Sequence, residues 1–176
     1  TSLNFQPQCL KVVDRFRSRS NIVALGAPIL LLIFCLSVTL FQQRRFLFQM
    51  TPAQASRALY GQNPFLESLE VGRYIRAHTT KDDQIAVLGS EPQIYFYSGR
   101  RGATGYIYMY ELMKDHDRAL QMQQELIHEI ESATPEFLIF VANHSSWIER
   151  PESPNLLFDW FRGYKKEHYS LVGLVD

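Results

Sequence analysis

The segment 84–110, QIAVLGSEPQIYFYSGRRGATGYIYMY, constrains the possible folds of this chain more than any other. Ile85–Leu88 is a short apolar run behind an aspartate-containing turn, which is typical of a buried strand. Gly89–Ser90 interrupts the run, and Glu91–Pro92 places an acid and a proline where helices begin. Ser98–Gly99 is a typical helix end. We therefore predict a strand, a tight turn and a helix, the half-unit with which α/β folds present polar groups at the carboxyl edge of a sheet.

Helical and strand patterns alternate through the rest of the C-terminal part of the chain. Phe137–Ala142 (FLIFVA) is a continuous apolar run, as expected for a buried strand of a parallel sheet. Asp117–Ser132 carries one apolar stripe at helical spacing. The remaining predicted elements are helices at Phe65–His78 and Asn155–Tyr164 and a final strand at His168–Val175. This order predicts an α/β fold for residues 64–176, a small layered domain with a mainly parallel sheet.

A long apolar run lies near the beginning of the chain. Residues 22–41 (IVALGAPILLLIFCLSVTLF) contain no charged side chain, and ~20 such residues cross a bilayer core of ~30 Å. The alternatives are a signal-peptide core or a buried helix, but the run is long for the first and uniformly apolar for the second. We therefore expect one transmembrane helix at 21–43. Residues 1–20 would be a cytoplasmic flank or loop, and residues 44–63 a membrane-proximal linker.

Charge is unevenly distributed around this run. Four basic residues precede it, and Arg44 and Arg45 follow it, so the positive-inside rule places the N-terminus in the cytoplasm. We thus expect the protein in the inner (plasma) membrane, with residues after 43 on the extracytoplasmic side. Beyond residue 50 the chain has 12 basic and 17 acidic side chains, a balance that disfavours nucleic acid as a partner.

The sequence contains no motif for a metal or a nucleotide. Cys9 and Cys35 both lie before residue 50, and the five histidines have no ligand spacing, so we expect no metal site. No glycine-rich phosphate loop is present, and we expect no cofactor.

Two loops that follow predicted strands carry the side chains best suited to ligand binding. If the strands are parallel neighbours, both loops lie at the same carboxyl edge of the sheet, where α/β folds bind ligands. Polar groups there could contact sugar hydroxyls, an aromatic ring could stack on a sugar face, and an arginine pair could hold a lipid phosphate. The ligand-binding candidates are Ser90, Glu91, Tyr95, Arg100, Arg101, Asn143, His144, Ser145, Ser146 and Trp147.

Each of these candidates also has a purely structural interpretation. Glu91 suits a helix N-terminus without any ligand, and Ser145–Ser146 suits the cap of a turn. The Arg100–Arg101 pair suits a solvated turn or an internal salt bridge. The tyrosines at 95, 97, 106, 108 and 110 alternate as a half-buried face does, and such residues are more often core than sugar platform.

Several of these segments together resemble one bacterial family pattern. The relevant stretches are the helix VGRYIRAHT, the segment DDQIAVLGSEPQIYFYSGRRGATGYIYMYELM, and QMQQELIHEIESATPEFLIFV with the loop SSW after it. They are similar to the C-terminal extracytoplasmic domain of integral-membrane glycosyltransferases related to the dolichyl-phosphate-mannose–protein mannosyltransferases. The resemblance covers about 65–176. It rests on Asp83, Gly89, Pro92, Tyr95, Ser98, Arg100, Tyr106, Tyr110, Pro135 and Trp147.

The resemblance implies a parent enzyme of the cell envelope that uses a polyprenyl-phosphate-linked sugar as donor. In that family the catalytic acid lies in an early extracytoplasmic loop, which this sequence does not contain, so we assign no catalytic residue. The chain would then be a fragment of a longer protein and an accessory, non-catalytic domain. Its partners would be the membrane, the remaining transmembrane core and a lipid-linked sugar or glycan acceptor. The alternative is a single-span, membrane-anchored module that binds a glycan or is purely structural.

Overall fold

The computed structural model describes residues 26–175, so the predicted flank 1–20 and the start of the predicted span at 21–25 lie outside it. The chain divides into two compact units, Thr1–Ala55 and Ser56–Asp176. In the first unit, helix α1 includes residues 26–42 and helix α2 covers Arg44–Phe48, while α3 (Pro52–Tyr60) crosses the boundary. Among residues 26–175 there is no helix with both the length and the hydropathy that a membrane crossing needs.

The second unit alternates helices and strands as predicted. Its elements in chain order are α4 (Phe65–His78), β1 (Gln84–Leu88), α5 (Gln93–Ser98), β2 (Arg101–Gly102), a 3-10 turn (Glu111–Met113), α6 (Ala119–Ala133), β3 (Phe137–Phe140), a second 3-10 turn (His144–Ser146) and α7 (Leu156–His168). The strands form one parallel sheet in the order β2-β1-β3. The prediction of an α/β fold with a parallel sheet is therefore confirmed.

The central strand β1 is packed on both faces. Ile85, Ala86, Val87 and Leu88 all have 0% exposure. On one face, alternate residues of β1 pack with α6 and α7, chiefly through Leu126, Ile130, Leu157 and Phe161. On the other face, Ile75 of α4 and Ile94 of α5 cover the strand. Continuous burial on both faces explains why the sequence of β1 is uniformly apolar rather than alternating.

The structure does not contain the predicted final strand at His168–Val175. Helix α7 continues to His168, beyond the predicted end near Gly163, because Gly163 does not adopt a left-handed backbone conformation there. Ring stacking across successive turns, Trp160 on Tyr164 and Tyr164 near His168, accompanies this extension. Residues 170–175 do not pair with any strand in the described part of the chain.

A buried amide on α6 joins three elements that are distant in sequence. The side chain of Gln123 is 0% exposed, and its Nε2 donates to the carbonyl oxygens of Leu112 and Pro154, both at 2.8 Å. Its Oε1 accepts from the Leu157 N–H at 3.0 Å. Asn155, the residue before α7, makes no side-chain capping bond, so Gln123 satisfies an N–H group that a cap residue normally satisfies.

We predict that Gln123→Leu lowers the free energy of unfolding by about 2–4 kcal/mol, because it leaves two carbonyls and one N–H buried without partners. Urea denaturation of the purified chain followed by circular dichroism measures this. Gln124→Leu, the same change at an exposed position of the same helix, should stay within about 0.5 kcal/mol of the parent chain. Equal stability of the two variants would contradict the role assigned to Gln123.

Candidate functional site

The carboxyl edge between β1 and β3 is the position where an α/β sheet of this order binds ligands. The chain leaves β1 toward β2 on one side, and β3 lies on the other side, so the crevice between them is a topological switch point. The loops after both strands meet there: Ser90 N–H donates to the Ser146 carbonyl at 3.1 Å and to Ser146 Oγ at 2.8 Å. The structure thus brings together the two strand-end loops that contain most of the predicted ligand-binding residues.

Gly89 allows this close approach. Its φ angle is 147°, in the region that favours glycine, and a Cβ atom there would lie 2.7 Å from Val141 Cβ and 2.8 Å from Ser146 Oγ. Position 89 therefore requires glycine for two reasons: its backbone conformation, and the Val141 and Ser146 side chains that occupy the space a Cβ atom would need.

The polar side chains at the bottom of the crevice are buried and satisfied by one another. Glu91, Ser90 and Ser146 are 5%, 6% and 1% exposed. Ser146 Oγ donates to Glu91 Oε1 at 3.0 Å, and Gln93 Nε2 donates to Glu91 Oε2. Ser90 Oγ accepts from the Met109 N–H at 2.9 Å. Because both carboxylate oxygens of Glu91 have protein donors, this group holds the two loops together rather than presenting a free acid.

The cluster continues to helix α4 through a residue that the sequence analysis did not select. Gln93 Nε2 also donates to Ser68 Oγ at 3.1 Å, and Ser68 is only 2% exposed. The sequence indicates a special role for Ser68 only by placing a serine within the apolar stripe of α4. Its partner Gln93 lies 25 residues away and could not be inferred from that pattern. The buried network thus links α4, α5 and both strand-end loops.

Next to this network lies a polar and aromatic surface, which we call the rim: Tyr108 and Ser145 are exposed, and Asn63, Tyr110 and Asn143 are half-buried. Ser145 Oγ lies 2.8 Å from Asn63 Oδ1 and 2.9 Å from Asn143 Oδ1. Tyr110 OH donates to the Ser145 carbonyl at 3.3 Å, and the ring of Tyr108 lies 6.0 Å from that of Tyr110. Tyr108 is 50% exposed, so its ring face is open to a ligand.

Of the two aromatic residues predicted to stack on a sugar, Trp147 is buried and Tyr95 is half-buried. Trp147 is 4% exposed, packs against Phe158 with ring centroids 4.8 Å apart, and donates its Nε1–H to the Val141 carbonyl at 2.8 Å. Tyr95 OH accepts from the Val87 N–H at 3.0 Å. Burial of the Tyr95 phenol raises its pKa, and the Val87 N–H bond lowers it by less. Both side chains therefore serve the packing of the domain, whereas Tyr108 in the rim is exposed.

The two arginines predicted to hold a phosphate, Arg100 and Arg101, differ in their hydrogen bonding and exposure. Arg100 donates to the carbonyls of Arg76 and Thr79 at the end of α4 and of Ser98 and Gly99 at the end of α5, at 2.8–3.3 Å. Its guanidinium thus satisfies helix C-terminal carbonyl groups. Arg101 is exposed at the start of β2, and His144 is exposed in the loop after β3.

A second polar cluster lies between the loop after β2 and α6, where Thr104 Oγ1 and the Gly105 N–H both donate to Glu129 Oε2. Next to it, Tyr106 OH donates to Glu125 Oε2, and this bond raises the pKa of Tyr106 to about 12. All of these groups have partners on α6, so the cluster fastens the 104–106 loop to that helix. Within residues 26–175 no group of three His, Cys, Asp or Glu side chains has the arrangement of a metal site.

Comparisons of the chain with protein-family models, with curated proteins and with solved structures give no match.

Two adjacent serines separate the buried network from the rim. We predict that Ser146→Ala lowers the free energy of unfolding by about 2 kcal/mol, because the Ser90 N–H and Glu91 lose a buried partner. Ser145→Ala, at an exposed position, should change it by less than about 0.5 kcal/mol. Thermal or urea unfolding of both variants measures the difference, and an equal loss at both positions would exclude a special role for the buried network.

Proposed function

We propose that residues 56–176 form an accessory, non-catalytic domain of a membrane glycosyltransferase that uses a polyprenyl-phosphate-linked sugar, and that the rim contacts the sugar. One observation carries the proposal: the exposed ring of Tyr108 lies 6.0 Å from the ring of Tyr110, whose hydroxyl donates to the Ser145 carbonyl in the loop after β3. An open aromatic face next to hydrogen-bonding groups is the combination that sugar recognition requires. The bacterial family resemblance suggests which sugar-bearing molecule to test.

A non-catalytic role agrees with the hydrogen bonding of Glu91, the acidic side chain in the crevice. Glu91 is buried and accepts from Ser146 and Gln93, and a general acid or base must instead reach a proton of the substrate. Ser90 and Ser146 are equally buried and bonded, so neither hydroxyl is available as a nucleophile. Binding chemistry fits this edge better than bond-breaking chemistry.

The proposal includes a transmembrane helix at residues 21–43 in the plasma membrane. Two observations support it: the uncharged run 22–41, and the exposure of large apolar side chains in the described part of that run. Leu30, Phe34 and Phe41 are 68%, 65% and 67% exposed. A helix that is apolar on all sides and not covered by protein is suited to contact lipid. Positive-inside charge would place residues after 43 on the extracytoplasmic side.

The second candidate function is a single-span, membrane-anchored module that binds a glycan or is purely structural. It is favoured by the same observation that Glu91, Ser90 and Ser146 are buried and hydrogen-bonded within the protein. The two candidates differ in the protein to which this chain belongs and in the ligand of the rim.

Sugar binding by the rim is tested by isothermal titration calorimetry. Polyprenyl-phosphate mannose is the probe, and it is titrated into the full chain in detergent micelles. We expect saturable binding that Tyr108→Ala weakens by about tenfold or more, equivalent to ~1.4 kcal/mol. Phe96→Ala is the matched control, because Phe96 is an aromatic residue that is 79% exposed on α5, outside the rim. Equal binding of polyprenyl phosphate without sugar, or no effect of Tyr108→Ala, would contradict sugar recognition by the rim.

The parent enzyme is tested by the intact mass of the native membrane protein. We expect a mass several times the 20.5 kDa of this chain, because the proposed enzyme needs a transmembrane core. A native mass equal to 20.5 kDa would exclude the glycosyltransferase and leave the anchored module as the function.

A further inference from the structure

Strand β3 is the open edge of the sheet. β1 pairs with β2 on one side and with β3 on the other, whereas β3 pairs only with β1 in the described chain. The Val141 N–H donates to the Leu88 carbonyl at 2.9 Å, and backbone groups alternate sides along a parallel strand. The N–H and C=O groups of Leu138 and Phe140 therefore point to the open side. Phe140 is 37% exposed, against 0% for its partner Leu88 in β1.

An apolar segment without a partner begins beside this edge. Tyr169, directly after α7, has extended backbone angles, and its OH donates to the Pro135 carbonyl at 2.7 Å, two residues before β3. Residues 170–175 (SLVGLV) then leave the domain with Leu171 and Leu174 exposed by 87% and 86%. Extended, these six residues span about 20 Å, which exceeds the ~13 Å of a four-residue strand.

The crossover from β3 through α7 has the handedness expected if a further parallel strand lies beside β3. Helix α6 carries the chain from β2 past β1 to β3, and it packs with α7 in the same hydrophobic core on one face of the sheet. Parallel crossovers are right-handed in about 98% of cases, so two successive crossovers on one face move in the same direction along the sheet. A strand that follows α7 therefore belongs outside β3 and parallel to it.

We propose that residues 170–175 bind in cis to the open edge of β3 as a fourth parallel strand, giving the order β2-β1-β3 followed by this segment. The bond from the Tyr169 hydroxyl to the Pro135 carbonyl holds the residue before the segment near the start of β3. Docking covers the Leu138 and Phe140 backbone groups and the exposed leucines together. An open edge is otherwise a template for pairing with a second chain, and the segment prevents that association.

The test measures amide hydrogen exchange in the full chain in detergent micelles. Leu171→Pro/Leu174→Pro removes the N–H at an odd and an even position, so one ladder donor is lost in either register. We expect exchange at Leu138 and Phe140 to be at least tenfold faster in this variant than in the parent chain, while exchange at Leu88 is unchanged. The control is Leu171→Val/Leu174→Val, which keeps both N–H groups and the apolar character, and it should exchange like the parent.

Two results would overturn the proposal. Equal exchange at Leu138 and Phe140 in the parent and the proline variant would mean that the segment does not cover the edge. Protection that is lost on dilution, together with a doubled protein mass by light scattering, would mean that a second copy of the chain occupies the edge instead.

Discussion

The structure of the α/β unit depends on one constraint, the complete burial of the β1 backbone. A buried N–H or C=O group without a partner costs about 1–3 kcal/mol, so each such group of β1 must be paired. β3 pairs with one side of β1 along four residues, but β2 pairs with the other side only at Gln84 and Ile85. The Tyr95 hydroxyl accepts from the Val87 N–H where β2 has ended, and Ser146 accepts from Ser90 where β1 itself ends. Side chains thus replace the missing length of a short neighbouring strand.

This constraint also explains the division of the carboxyl edge into two layers. Groups in the crevice satisfy the backbone at the strand ends, so the Glu91–Ser146 pair is buried and its hydrogen bonds stay within the protein. In the proposed function, the ligand contacts side chains further out, and the buried Ser90 holds the Met109 backbone between Tyr108 and Tyr110. A rim that is positioned by a rigid buried layer loses little conformational freedom on binding, which favours recognition of a flexible ligand such as a sugar.

The sequence predicted those parts of the molecule that local pattern determines. The apolar run of β1, the glycine break and the short helix α5 were predicted correctly, because burial on both faces and turn chemistry leave local signals. The predicted final strand is not formed in the structure, because residues 170–175 have the apolar character of a strand but no pairing partner in the described chain. The roles of Gln123 and Trp147 could not be predicted. Both depend on groups from other elements, such as the Leu157 N–H 34 residues from Gln123.

The long-range polar bonds change which substitutions the domain tolerates. Replacing one aliphatic core residue by another of similar volume usually costs less than about 1.5 kcal/mol, because neighbouring side chains repack. The bonds made by Gln123, Tyr95 and Ser146 have fixed partners in the backbone, and no apolar residue can replace a donor or an acceptor. In a three-stranded sheet with a two-residue edge strand, few ladder bonds exist to compensate. The specificity of this fold therefore depends more on a few buried polar side chains than on the exact shape of its aliphatic core.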